Sequence, residues 1–159
     1  MIGFNRIKGE GSPSTLFAAF LYFDFSFMVW TMLGPLATEI SDSLANYGFL
    51  MTSSETATLL SVPILAGSLL RIVLGFLVGK IGAKKTALGA QAIVILTLFY
   101  VASFGEHISY GELLFVGLGL GFAGASFAVA LPQAGQWYPP RLQGVVLGIA
   151  GIGNMGVVL

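Results

Sequence analysis

Long apolar stretches alternate with short polar connections along the whole chain, and the stretches have membrane length. The runs at 16–40, 59–78, 86–104 and 113–131 each come close to or exceed the roughly 20 residues that a helix needs to cross hydrocarbon. A fifth run starts near Val145 and continues to Leu159, incomplete as a span. This alternation predicts an all-α, polytopic membrane helix bundle. Because it stops inside an apolar run, the sequence reads as a fragment cut within its fifth helix.

Local signals support those boundaries. Thr52-Ser53-Ser54-Glu55 has the spacing of a capping box, in which the Thr hydroxyl and the Glu carboxylate satisfy each other's backbone N–H groups at a helix start. Gly79 to Lys85 reads as a tight basic turn. Pro132 and the pair Pro139-Pro140 close the fourth span and precede the fifth, since proline disfavours helical geometry in the residue before it. Trp137 and Tyr138 beside them suit the headgroup level of a bilayer.

Composition sharpens the class. Of 159 residues, 56% are hydrophobic and 9% charged, against about 25% charged in soluble domains. Without cysteine there are no disulfides, thiolate metal sites or cysteine nucleophiles. The single histidine, His107, falls in a polar connection and reads as a titrating surface group that cannot build a metal site alone. Zero net charge leaves no footprint for nucleic acid. Met1 to Ser14 is polar, with no apolar core and cleavage site, so a secretory signal is not expected there. The 22 glycines fit membrane helices that pack backbone to backbone.

Charge placement predicts orientation. Arg6, Lys8, Lys80, Lys84, Lys85 and Arg141 occupy the N-terminal tail and alternate connections, whereas Glu39, Asp42, Glu55, Glu106 and Glu112 occupy the others. The excess of Lys and Arg marks the cytoplasmic side, so the N-terminus is expected in the cytoplasm of a multi-pass protein of the cell membrane.

Polar residues inside the spans are the candidates for function. Arg71 lies in the second span, where a cation costs roughly 2.5–3.5 kcal/mol on insertion scales. Ser61, Ile64, Ser68, Arg71 and Gly75 recur at steps of three and four, giving Arg71 a small, polar face. That company favours an arginine turned to a cavity and offset by a bound anion. The plainer alternative is snorkelling to the interface, or a structural ion pair.

On the fourth helix Gly117, Gly121 and Gly124 form a face nearly free of side chains, read as close packing. Phe127 nearby is either apolar filling or a pocket wall. Asn154 is the strongly polar side chain of the fifth helix, among Gly151, Gly153 and Gly156, and it hydrogen-bonds either a neighbouring helix or a ligand. Asp24 in the first span is a candidate for proton coupling, with a structural or solvated role the favoured reading. No catalytic constellation, metal cluster or cofactor-binding motif emerges, so an enzyme is not expected.

Together these residues carry a resemblance. Gly75-Phe76-Leu77-Val78-Gly79-Lys80-Ile81-Gly82-Ala83-Lys84-Lys85 resembles the signature loop of the major facilitator superfamily, with Gly79 where an Asp is usual and Ala83 at a basic position. Gly151-Ile152-Gly153-Asn154-Met155-Gly156, Gly121-Phe122-Ala123-Gly124-Ala125-Ser126-Phe127 and Leu70-Arg71 are similar to signatures of its nitrate/nitrite porter branch. The resemblance implies the N-terminal part of a twelve-helix transporter that works by alternating access, either exchanging nitrate for nitrite or taking up nitrate with protons. It implies that Arg71 grips the anion with a second arginine from the C-terminal half, that Asn154 donates an amide hydrogen bond, and that Phe127 packs on the ligand's flat face. Two other readings stay open: a facilitator of another small anion such as a monocarboxylate, and a non-transporting membrane subunit or inactive fragment.

Overall fold

A computed structural model describes residues 9–105 and 108–157. Arg6, Lys8, Glu106 and His107, named above, lie outside them, as does Leu159. The described residues are helical with short connections and contain no strand.

Helices α1 (Pro13–Thr31) and α2 (Leu33–Asn46) are followed by α3 (Ser53–Ile81), α4 (Ala83–Phe104), α5 (Tyr110–Gly124), α6 (Phe127–Gly135) and α7 (Pro140–Gly151), then a 3-10 segment, Ile152–Val157. Among the described residues, four rods are long and apolar enough to cross a membrane: Pro13–Asn46, Ser53–Ile81, Ala83–Phe104 and Tyr110–Gly135.

The helices start where polar caps allow, not where the apolar runs begin. Ser12 accepts from the Thr15 N–H and Pro13 opens α1. The capping box at Thr52 and Glu55 starts α3 six residues ahead of Leu59. A second box, Ser109 with Glu112, starts α5. Between α3 and α4 the turn shrinks to Gly82 alone. Its φ of +87° is cheap for a residue with no Cβ.

Two rods are broken, which the runs of hydrophobicity did not reveal. The first breaks at Met32: Pro35 has no N–H to give the preceding turn, and Met32 N–H falls back on the Val29 carbonyl at 3.3 Å. The fourth breaks between Gly124 and Phe127. There Ser126 donates to Ala123 and Ala128 to Ala125, each at three residues' separation, so the Gly124 carbonyl is left outside the helical ladder.

Packing is tightest between α3 and α5. A Cβ at Gly117 would press on Val62 and Pro63, and one at Gly121 on Ala66 and the backbone of Gly67. The glycine face is thus a packing face, as expected. Apolar side chains join the rest: Leu33, Leu59, Leu113 and Leu120 at one end of the bundle, and Leu16, Tyr138, Leu142 and Val146 at the other. Outward positions such as Leu69, Ile72, Leu96, Phe99 and Phe115 are large, apolar and exposed. Surface of that extent suits lipid tails.

Candidate functional site

Arg71 projects from the middle of α3 and is half-buried. Its Nε donates to the Gly124 carbonyl at 3.1 Å, the group released by the break in the fourth rod. Its guanidinium carbon lies over the Trp30 ring, 5.4 Å from the centroid. No carboxylate pairs with it among the described residues, where the ion pair is the surface contact of Arg141 with Glu10 at 2.6 Å. The side chain is turned onto α5 and is not ion-paired with a described residue. Its two Nη nitrogens make no hydrogen bond to a described residue.

A cavity of about 250 Å³ opens beside it, lined by Phe23, Phe27, Arg71, Phe127, Gly151 and Asn154. Three rods and the 3-10 segment therefore converge on one space. Phe127 begins α6 immediately after the break, so the same disruption that frees the Gly124 carbonyl sets the Phe127 ring at the cavity. Phe23 meets Phe127 edge-on at 5.6 Å and Phe27 at 5.6 Å, and Phe27 meets Trp30 at 5.1 Å. The result is an aromatic wall with one cation and one amide set into it.

Asn154 sits in the 3-10 segment, not in the α-helix anticipated for that run. Its amide makes no hydrogen bond to a described residue, so the helix-to-helix alternative is not what the structure displays. Gly153 brings it there: a Cβ on Gly153 would lie 2.8 Å from the Phe20 carbonyl and 3.1 Å from the Asp24 nitrogen, so only glycine lets this segment lie on α1. Gly151 lines the cavity with open space around it, Gly121 and Gly124 serve packing, and Gly156 lies within the 3-10 segment.

Asp24 is placed elsewhere. It is 9% exposed on α1, does not line the cavity, and its Oδ1 has no hydrogen-bond partner among the described residues. Of the structural or solvated role favoured from sequence, that burial suits the structural one. Phe23, Phe27 and Trp30 were not singled out from sequence. Their spacing of four and three residues puts them on one face of α1, a signal hidden because aromatic residues abound in every span.

The profile of the major facilitator superfamily matches residues 15–159. The chain belongs to the major facilitator superfamily. Over 134 residues it is 35% identical to a Mycobacterium tuberculosis (strain ATCC 25618 / H37Rv) protein named probable nitrate/nitrite transporter NarK2, covering 84% of this chain and 33% of that protein. It is 32% identical over 133 residues to the probable nitrate transporter NarT of Staphylococcus carnosus, covering 84% of this chain and 32% of the relative. It is 29% identical over 133 residues to the nitrite extrusion protein of Bacillus subtilis, with the same coverage of 84% and 32%. The chain spans about a third of the length of the curated relatives it matches. Its four membrane-length rods make it a multi-pass membrane member of the superfamily.

Proposed function

We propose that this major facilitator chain forms the N-terminal part of a transporter that moves nitrate and nitrite across the cell membrane by alternating access. The observation that carries the reading is the cavity beside Arg71, where an unpaired guanidinium meets a free amide and aromatic walls. The names of the similar proteins point to the same cargo.

The chemistry fits small planar anions. With Nε occupied by Gly124, the guanidinium keeps two Nη groups able to meet two oxygens of one anion in its own plane. Asn154 supplies a further N–H donor. Phe23, Phe27 and Phe127 can cover a flat, weakly hydrated ion and exclude water, which strengthens the charge contact. The opposing wall, including a second cation, comes from the C-terminal half of the transporter, and rocking of the two halves exposes the site to each side in turn. Lys80, Lys84, Lys85 and Arg141 fall at one end of the helices and Glu39, Asp42, Glu55 and Glu112 at the other, which supports a cytoplasmic N-terminus.

The test is anion uptake into proteoliposomes by the full-length protein, wild type against Arg71→Lys. Nitrate or nitrite accumulation that Arg71→Lys reduces by about tenfold or more is expected, since lysine keeps the charge and loses the planar fork. Uptake of acetate or formate in preference to both, or wild-type nitrate uptake by the variant, would overturn the reading.

A further inference from the structure

Trp30 does not line the cavity, yet it touches the one charged group that does. Its indole is held from three directions. Nε1 donates to the Pro63 carbonyl at 2.9 Å. The Phe27 ring stands edge-on at 5.1 Å and 70°. The ring also fills a slot that exists because two neighbours lack side chains: a Cβ on Gly124 would overlap the indole, and one on Gly67 would lie 3.3 Å from Nε1.

We propose that Trp30 is a positioning residue for anion recognition, restricting the swing of the Arg71 guanidinium about its hydrogen bond to Gly124. The inference rests on the reading of Arg71 as the anion-binding cation. Two constraints of different kind act on that group. A cation–π contact, with the guanidinium carbon 5.4 Å from the indole centroid and within the roughly 6 Å reach of such contacts, holds the group against the ring. The hydrogen bond from Nε to Gly124 anchors one edge of the group. Neither alone suffices: a single hydrogen bond leaves the group free to swing about it, and a ring contact alone leaves it free to turn. Together they hold the Nη edge in one attitude before any anion arrives, so that less rotamer freedom is lost on binding. Gly67 and Gly124 thereby acquire a purpose beyond helix packing, since they make room for the aromatic plate.

The experiment uses the full-length transporter with Trp30→Leu, Trp30→Phe, and a series of progressively fluorinated tryptophans introduced at position 30 alone. Fluorination drains the negative face of the ring with little change in shape, so it leaves a merely space-filling role untouched. The readouts are anion dissociation constant, transport KM and Vmax, and thermal unfolding. Trp30→Leu should weaken affinity by about tenfold, while Trp30→Phe stays within about threefold, because the ring face survives the loss of the Pro63 bond. Affinity should fall stepwise along the fluorinated series with unfolding temperature unchanged. A flat series, or equal losses in the leucine and phenylalanine variants, would overturn the proposal, and the series decides the matter even if the leucine variant fails to fold. Which anion the wild type carries tests the functional reading separately, as the ratio of variant to wild type is measured on whichever anion is transported.

Discussion

A single guanidinium illustrates how a membrane tolerates charge. Arg71 has one N–H group on a backbone carbonyl, its guanidinium carbon over an indole, and two nitrogens without partners among the described residues. The carbonyl and the ring offset part of the insertion cost, and the remaining donors suit an anion. Asn154, the proposed second donor, is exposed in the 3-10 segment without a hydrogen bond to the helices around it. Replacing it with leucine should weaken nitrate binding by about 0.5–1.5 kcal/mol, the worth of one hydrogen bond, which isothermal titration of the full-length protein would register as a dissociation constant about 2- to 13-fold higher. An unchanged constant would reduce Asn154 to a packing residue. Arg71 and Asn154 were legible from sequence because polar groups in apolar runs need a reason. Phe23 and Phe27 were not, since an aromatic residue in a membrane helix carries no such signal until its neighbours are known.

At the level of elements, the breaks matter as much as the helices. The interruption after Gly124 frees a carbonyl for Arg71 and turns Phe127 to the cavity, so one irregularity serves two site residues. The contact of α3 with α5 sets where those groups meet. Gly121→Ala should therefore destabilise the bundle by about 1–3 kcal/mol, because its Cβ would fall against Ala66 and Gly67. Gly144→Ala, whose added methyl group would meet nothing within 4 Å, should be tolerated. Thermal unfolding in detergent separates the two, and equal behaviour would contradict the close packing. The capping box offers a milder change. Thr52→Ala removes the hydroxyl that receives the Glu55 N–H and should cost α3 about 1 kcal/mol, visible as faster hydrogen exchange near Thr56. The Thr52 box was readable in sequence because its four positions are contiguous. The break at Ser126 was not, because no proline or long polar stretch marks it.

For the whole molecule, the decisive fact is length. On the proposed reading, a chain spanning about a third of its relatives' length presents one side of a site whose other side comes from a C-terminal half. The 159-residue chain by itself should insert in membranes and show no nitrate uptake above empty vesicles; measurable uptake would mean that the cavity needs no second half. Its lack of cysteine makes orientation directly testable. A cysteine placed at Lys84 should react with an impermeant maleimide only after the cell membrane is opened, and one at Asp42 in intact cells. The reverse pattern would invert the proposed topology.

Hydrophobic run lengths, cap residues and charge alternation are properties of neighbours along the chain, and they were sufficient to determine an all-helical membrane protein, its membrane-length helices and the presence of costly polar groups within them. Where those groups meet depends on which faces approach after folding. Only the tertiary structure could decide that, because the cavity joins side chains from α1, α3, α6 and the 3-10 segment that are separated by up to 131 residues, from Phe23 to Asn154. Close approach through glycine, not any local preference, brings them together.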